Sequence, residues 1–379
     1  MERWFYIVLL FLCACSSKEV IYVTNEGQAA LDSTLLVRQD SLVRLYIGEH
    51  LTCSPLCSQV KDSLYIMLDE NALHFFHLKD GHFLKSLPVT ECGTLNNYSG
   101  FLYEDSDSIF VYNYKLKTVF FLGSTMKIRK KWNVHTACKA KYPIDPETLT
   151  DSPLLYSQGR VLLSGVELGQ PDEGESSDKP TTCCIALDND IMSFGGVFPV
   201  CYEKGNFGGV YYNKIYHALN QDGNLLLSFP ADHYVYCYSL DFRDCKPYYM
   251  GSRYIREIVS SGENVFDLFK DKQRRIAYYT SQPSYGNILY DPYRHLYYRV
   301  ARLPLQGWTG GNFQKPFSII TMDSLYRIIS ETPVVEDYED LNLGNMHVVK
   351  EGLLIQKENK EDENVIEFVL YKVNKYQEK

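Results

Sequence analysis

Residues 288–300 read ILYDPYRHLYYRV, and this stretch shows the pattern that decides the fold. Residues 288–290 and 296–300 are rich in β-branched and aromatic side chains, which favour strands. Between the two runs, Asp291 and Pro292 begin a turn, because proline fixes φ and aspartate bonds to nearby backbone amides. The stretch therefore predicts two antiparallel strands joined by a short turn.

The same order of run, polar turn and run recurs along the chain. The other copies are residues 64–68 with 72–78, 109–114 with 119–122, 161–163 with 184–187, 225–229 with 234–238, and 353–355 with 365–373. The copies recur at intervals long enough for one four-stranded sheet. Such repetition favours sheets arranged around a ring, because that arrangement leaves few sheet edges exposed. We predict an all-β protein, a β-propeller of six blades. The extra pair 317–322 and 325–329 leaves seven blades as the alternative.

A single propeller domain is predicted over residues 20–379. Ring closure would pair a strand from residues 20–46 with the last sheet, at residues 365–373. Two β-sandwiches divided at the polar insertion 169–182 are the competing architecture. Because strands that look like partners flank this insertion, we favour an excursion from one blade. Residues 263–275 carry a helical pattern and are expected to pack against the ring.

The N-terminus has the layout of a secretory signal, with Arg3, an apolar run over residues 4–12 and a polar run over 16–19. The apolar run is shorter than the ~20 residues that span a bilayer. Leu12-Cys13-Ala14-Cys15 is similar to the bacterial lipobox, which implies cleavage before Cys15 and acylation, including palmitate, of its sulfur. We predict a signal peptide over 1–14 and a lipidated tether over 15–19. An ordinary signal peptide without lipid is the alternative.

Composition limits the classes of partner. The net charge of −9 argues against nucleic acid, which needs a concentrated basic face. The 31 tyrosines and 19 phenylalanines suit half-buried pleated sheet. No paired Cys-x-x-Cys motif with a nearby histidine is present, so we expect no zinc site and no cofactor. Along a strand, His74 and His77 would point to opposite faces and could not share an ion.

Eleven cysteines are present, and an exported protein could pair some of them. Cys53 with Cys57 and Cys237 with Cys245 are the nearest candidates. A fold of this length does not need disulfides, so most of these thiols are expected to be small buried hydrophobic groups.

Residues 285–299, together with the lipobox and the tyrosine-rich repeats, resemble an uncharacterised family of Bacteroidetes-type lipoproteins with a six-bladed β-propeller. The resemblance implies a lipid-anchored propeller at the cell envelope, on the outer membrane, facing either the periplasm or the cell surface. It supplies no catalytic residues.

Three side chains are candidates for ligand binding. Arg294 and Arg299 could bind a carboxylate or sulfate at the mouth of the ring, and the alternative is that they serve packing between blades. Trp308 lies in the glycine-rich loop 307–312 and could stack on a sugar or aromatic ring, or else cover a blade edge.

Five Asp-Ser/Thr-apolar triplets resemble the O-glycosylation acceptor of exported Bacteroidetes proteins. The alternative is a structural role, in which Asp-Ser ends a turn and the apolar residue begins a strand. The serines concerned are Ser33, Ser41, Ser63, Ser108 and Ser324.

No nucleophile elbow, zinc-protease motif or phosphate loop occurs in the sequence. We therefore predict a non-enzymatic binding or interaction module, anchored to the membrane by lipid, whose partner is a peptide, a glycan or an envelope protein. A propeller glycan hydrolase or lyase and a structural subunit of an outer-membrane complex are the alternatives, since propeller enzymes gather single residues from several blades.

Overall fold

The structure is a computed structural model that describes residues 20–27, 35–48, 51–52, 55, 57–137, 143–166, 179–263 and 265–374. The predicted signal peptide, Cys15, the tether, Ser33 and Cys53 lie outside the described residues. Within the described ranges, no helix is long and apolar enough to cross a bilayer.

Two strands precede the first blade along the chain, β1 (Tyr22–Thr24) and β2 (Leu36–Tyr46). Blade 1 contains β3 (Cys57–Lys61), β4 (Leu64–Leu68), β5 (Ala72–His77) and β6 (Phe83–Pro88). Blade 2 contains β7 (Gly100–Asp105), β8 (Ser108–Asn113), β9 (Thr118–Leu122) and β10 (Ile128–Asn133), and α1 (Val134–Ala137) follows. Blade 3 contains β11 (Leu155–Ser157), β12 (Arg160–Ser164), β13 (Pro180–Ala186) and β14 (Met192–Val197).

Blade 4 follows α2 (Cys201–Lys204) and contains β15 (Tyr216–Leu219), β16 (Leu225–Ser228), β17 (Tyr234–Tyr238) and β18 (Cys245–Tyr249). The short β19 (Glu257–Val259), α3 (Val265–Lys270) and α4 (Lys272–Ser281) lead to blade 5. Blade 5 contains β20 (Ser284–Asp291), β21 (Leu296–Arg302), β22 (Phe317–Met322) and β23 (Ile328–Val334). Blade 6 contains β24 (Leu341–Val349), β25 (Gly352–Lys357) and β26 (Val365–Val373), and β2 completes it.

These sheets form a six-bladed β-propeller, as predicted, and the seven-bladed alternative is wrong. Each blade is a four-stranded antiparallel sheet, and its innermost strand contacts the innermost strands of the neighbouring blades around a closed ring. Buried apolar clusters lie between successive blades, so that each sheet packs face to face on the next. This arrangement excludes the pair of β-sandwiches.

The repeat in the sequence is visible because strands inside a blade are buried on both faces. β4 and β5 are almost wholly buried, and such strands read as continuous apolar runs. In five blades the predicted pair is the second and third strand. In blade 5 it is the first and second, β20 and β21, and the extra pair supplies β22 and β23 of the same blade. The extra pair therefore adds no seventh blade.

Ring closure follows the prediction. β2 pairs with β26 from Leu36 opposite Val373 to Tyr46 opposite Val365, with a bulge between Arg38 and Leu42. An N-terminal strand thus becomes the outer strand of the last blade and joins the two ends of the domain.

The polar insertion is an excursion from blade 3, since β12 and β13 on either side of it pair directly, with Leu162 opposite Cys184. Residues 167–178 of this insertion lie outside the described residues. The predicted helical segment is two helices, which separate at Asp271. The Asp271 carboxylate accepts from the backbone amides of Gln273 and Arg274 and so caps α4.

The described cysteines are free thiols, and most are buried. The register between β17 and β18 explains why Cys237 and Cys245 do not pair. Cys245 lies opposite Tyr238, whereas Cys237 lies opposite Lys246, so the two sulfurs occupy opposite faces of the blade.

Candidate functional site

The two faces of the ring carry different connections. The six innermost strands run in the same direction, so we call the face where they begin the start face and the opposite one the end face. The start face carries the connections between blades and the loop 303–316 between β21 and β22. The end face carries the turns between the first and second strands and between the third and fourth strands of a blade, such as 291–295 and 323–327.

All six innermost strands line a central channel with a cavity of about 360 Å³. Its polar lining includes Ser58, Asp151, His217, Asn287 and His347. A histidine near a serine hydroxyl raises the question of nucleophilic catalysis, which the hydrogen bonds answer.

The Asn345 side chain sets the direction of these hydrogen bonds. Its Nδ2 donates to Gln356 Oε1 at 2.8 Å, so its Oδ1 is the acceptor for Ser58 Oγ at 2.7 Å and His347 Nε2 at 2.6 Å. The His347 proton facing Ser58 is therefore on Nε2, and this nitrogen cannot take a proton from the hydroxyl. Ser58 is thus a bonded structural hydroxyl and not an activated nucleophile.

His217 is equally unsuited to proton transfer. Its Nε2 donates to the Pro153 carbonyl at 2.6 Å, and its Nδ1 is buried without a partner. Burial lowers the pKa of His217 to about 4 and that of His347 to about 3, because the charged forms lose their solvation. Both rings are neutral at neutral pH.

Charged groups gather where the channel meets the start face. Lys214 Nζ lies 2.6 Å and 2.7 Å from the two carboxylate oxygens of Asp151, between blades 3 and 4. Burial raises the pKa of Glu147 nearby. The Asp151 carboxylate is therefore engaged by a cation and is not free to act as a base.

A second cavity, of about 160 Å³, opens at the start face between the loop 303–316, α4 and the beginning of β24. We call it the start-face cavity. Its lining is Tyr279, Arg302, Phe313, Gln314, Lys315, Tyr338, Leu341, Asn342 and Leu343.

Lys315 is a buried cation of this cavity, with 4% of its surface exposed. Its Nζ donates to the carbonyl oxygens of Tyr279 at 3.0 Å and Gln282 at 2.6 Å, and lies 4.1 Å from the centre of the Tyr279 ring. Burial, with the nearby Arg302 charge, lowers the pKa of Lys315 well below its usual range.

Arg302 lies at the end of β21, beside Lys315. Its Nη1 donates to the Tyr216 hydroxyl at 3.0 Å, across the interface with blade 4. Gly286 makes room for the guanidinium, since a Cβ there would lie 2.4 Å from Nη1. The Nε and Nη2 groups donate to no acceptor among the described residues.

Tyr279 and Phe313 line the start-face cavity and pack with Tyr211, and we call the three side chains the aromatic cluster. Tyr211 and Tyr279 stack with ring centres 4.5 Å apart and planes at 24°. Phe313 meets the two rings edge-on at 6.0 Å and 6.3 Å, and 37% of its surface is exposed. An aromatic surface next to unpaired donors can hold a ring and a polar group together.

The predicted Arg299 is fully buried between blades 4 and 5. Its three nitrogens donate to Ser228 Oγ and to the carbonyl oxygens of Met250, Phe229 and Asp232. This placement fits the packing role between blades that the sequence left open.

Arg294 lies in the turn at the end face. Its Nη1 is 2.8 Å from Asp291 Oδ2 and its Nη2 donates to the Lys350 carbonyl at 2.5 Å. The side chain therefore links blades 5 and 6, far along the axis from the start-face cavity.

Trp308 lies in the loop 303–316, which also carries Phe313 and Lys315. Its indole Nε1 donates to the Asn312 carbonyl at 3.1 Å, so the side chain is half-buried against its own loop. Trp308 as a ligand-binding residue stays a prediction. The sequence analysis did not single out the aromatic cluster, Arg302 or Lys315, although a basic residue at each end of a glycine-rich loop was a usable signal.

Of the Asp-Ser triplets within the described residues, those of Ser63 and Ser108 lie where a turn meets a strand, as the structural alternative predicted, whereas those of Ser324 and Ser41 do not. Ser63 lies in the turn before β4, Ser108 begins β8, and Ser324 lies in the turn between β22 and β23. Ser41 lies at the bulge of β2. Within the described ranges, no three potential ligands are grouped to hold a metal ion.

Residues 29–333 match the family model described as "Domain of unknown function (DUF4221)". The chain belongs to the DUF4221 family. This result and the six-bladed fold confirm the predicted resemblance to a family of six-bladed propellers, and the lipid anchor stays a prediction. The sequence matches none of the curated proteins with which it was compared.

Solved structures agree with the fold of this DUF4221 protein. A DUF4221 member from Bacteroides vulgatus has 18% identity and a TM-score of 0.72, and the match covers 90% of this chain and 98% of that one. A putative exported protein from Bacteroides fragilis has 11% identity and a TM-score of 0.55, covering 92% and 98%. At these identities the likeness concerns the fold alone.

Proposed function

We propose that the protein is a non-enzymatic binding module of the cell envelope, held on the membrane by acyl chains on Cys15, which takes its ligand at the start face. The observation that carries the proposal is the aromatic cluster beside a cavity with unpaired donors. A ring stacks on tyrosine or phenylalanine at small entropic cost, and the donors orient it.

The interior of the channel supports binding over catalysis. Ser58, Asn345 and His347 bond to one another with the proton on the wrong nitrogen for a general base. Asp151 is paired with Lys214. These engaged polar groups stabilise the ring, and none of Ser58, His347 and Asp151 is free to act as an acid or a base.

A binding screen tests the proposal. The mature protein is applied to glycan and peptide arrays, and hits are titrated by calorimetry. We expect Phe313→Ala and Tyr211→Ala to lower the affinity at least tenfold. The matched control is Tyr293→Ala, an aromatic residue 48% exposed in the turn 291–295 of the end face, which should bind like wild type. No array signal, with one stoichiometric partner recovered from membranes, would instead identify a structural subunit.

The anchor has its own test. Cys15→Ala should release the protein from washed membranes, because acyl chains contribute ~0.8 kcal/mol per buried methylene. Cys13→Ala is the matched control, since that residue is removed with the signal peptide and should leave the protein on the membrane. Retention of the Cys15 variant would contradict the lipid anchor.

A propeller glycan hydrolase or lyase is the second candidate. One observation favours it, namely that Asp151 and His217 both line the channel. Incubation with acidic and neutral glycans, followed by assays for new reducing ends and unsaturated products, should show no turnover. Turnover that is lost in Asp151→Asn would establish this alternative.

We further propose that one or two of Ser41, Ser63, Ser108 and Ser324 carry O-linked glycan in the native protein. Three of the four lie in or beside turns at the end face, where an acceptor would be accessible. Intact-mass spectra should exceed the lipidated polypeptide by whole sugar units, and a mass equal to that of the lipidated polypeptide would refute the modification.

A further inference from the structure

We propose that the start-face cavity binds a carboxylate, which Arg302 holds through Nε and Nη2 while the aromatic cluster contacts the six-membered ring that bears it. The inference rests on the proposed binding function and specifies the chemical class of its ligand. Neither Arg294 nor Arg299, the arginines suggested by the sequence, lines this cavity.

The charge of the cavity is the first support. Arg302 and Lys315 both line it, and no aspartate or glutamate is among its lining residues. No ion pair of Arg302 or Lys315 occurs in the described parts of the chain, and Asp151, the carboxylate that acts on Arg302 at longer range, is paired with Lys214. In a protein of net charge −9, a guanidinium without a carboxylate partner in its cavity marks a place for an external anion.

The geometry of Arg302 is the second support. The bond from Nη1 to the Tyr216 hydroxyl, and the space over Gly286, fix the plane of the guanidinium. The adjacent Nε and Nη2 groups remain available, and these two donors form the fork that matches the two oxygens of a carboxylate. Because the fork is already oriented, binding costs little side-chain entropy.

Lys315 adds a long-range contribution. Its Nζ donates to carbonyl oxygens and does not need to touch the ligand. An anion on Arg302 would offset the repulsion between the two cations and stabilise the ammonium form of Lys315. Binding should therefore be accompanied by proton uptake, and the affinity should fall as the pH rises.

The size and walls of the cavity specify the rest of the ligand. A volume of about 160 Å³ accommodates a carboxylate and one ring. The exposed Phe313 presents a surface for the face of that ring and packs against the stacked Tyr211 and Tyr279. An acidic sugar and an aromatic acid share this chemistry, and a titration can separate them.

The experiment compares four probes on the mature protein by calorimetry and ligand-observed NMR. Glucuronate supplies the acidic sugar ring, benzoate the aromatic acid, glucose the neutral ring and inorganic phosphate an oxyanion without a ring. We expect glucuronate or benzoate to bind at least tenfold more tightly than glucose and phosphate.

Two variants of Arg302 keep the test independent of folding. Arg302→Lys retains the charge but loses the fork, and should lower carboxylate affinity at least tenfold with a melting temperature close to wild type. Arg302→Gln should abolish the preference for the acid. Arg243→Met is the matched control, because this arginine is exposed in the end-face turn of blade 4.

The outcomes separate the two proposals. Equal affinity for glucose and glucuronate, lost in Phe313→Ala but unchanged in Arg302→Lys, would overturn the carboxylate site and keep the binding module. Binding of phosphate as tight as that of the ring acids would overturn the ring specificity. Absence of binding of all four probes would overturn the carboxylate site, and the array screen would then decide the binding module independently.

Discussion

At the scale of single residues, three basic side chains serve different purposes, of which Arg299 and Lys315 are buried and Arg302 is half-buried. Arg299 donates hydrogen bonds to backbone carbonyl oxygens between blades 4 and 5, so it contributes to packing. Lys315 also donates to carbonyl oxygens but borders a cavity. Arg302 keeps two donors unpaired beside the same cavity. Accessibility of the donors, and not residue type, separates the packing residue from the candidate ligand residue.

Arg299 gives a prediction about stability. Arg299→Met should lower the free energy of unfolding by about 3 kcal/mol, because the carbonyl oxygens that it satisfies would be left buried and unpaired. Arg299→Lys should also destabilise, since one ammonium cannot reach acceptors that a guanidinium spans. Chemical denaturation measures both, with Arg243→Met as the exposed control. A Met variant within 1 kcal/mol of wild type, on the order of an ordinary surface change, would contradict the packing role.

At the scale of elements, β2 contributes more than its position at the chain's beginning suggests. It covers the edge of β26 and closes the ring. Leu36 and Leu45 of β2 are buried in the clusters on either side of blade 6, whereas Val37 is 37% exposed. The two leucines therefore face opposite sides of blade 6, and Ser41 is exposed at the bulge between them.

Because β2 closes the ring, we expect two side-chain truncations on this strand to change the free energy of unfolding by different amounts. Leu45→Ala should lower the free energy of unfolding by about 3 kcal/mol, because it leaves a cavity beside Phe368 and Ile366. Val37→Ala on the same strand should cost less than about 1 kcal/mol. Urea denaturation followed by fluorescence measures both. Equal midpoints for the two variants would show that β2 is not part of the cooperative unit.

At the scale of the whole molecule, buried neutral histidines make the stability of the propeller depend on pH. Burial lowers the pKa of His217 and His233 to about 4 and that of His347 to about 3. An unfolded chain would protonate them near their ordinary pKa of about 6.5. The unfolded state therefore binds more protons below that pH, and stability is lost as the pH falls.

The expected acid sensitivity has a defined window. Stability should be constant above a pH of about 6.5 and fall from there to about 4, by about 1.4 kcal/mol per pH unit for each histidine. Melting temperatures across this range measure the slope. His347→Gln should reduce it, whereas His82→Gln, at an exposed position, should not. A flat profile between pH 6.5 and 4.5 would contradict the neutral buried state.

The sequence alone determined the class of fold and favoured six blades over seven, and its prediction of ring closure is confirmed. Strands that are buried on both faces are continuously apolar. The strands β4, β5, β8 and β9 can therefore be distinguished in the sequence from the turns beside them. Outer strands such as β6 and β10 are largely exposed, carry lysines and leave no such pattern. The sequence repeat can therefore be recognised from the middle strands of each blade but not from its outer strand.

Only the tertiary structure decided which arginine faces a cavity. Arg299 and Arg302 lie three residues apart on β21, and sequence spacing cannot tell that one is enclosed by blade 4 while the other reaches the start face. The cavity also needs Tyr211, Tyr279 and Phe313 from three separate connections. Binding sites in a ring form where distant loops converge, and that convergence depends on the closed ring and not on local pattern.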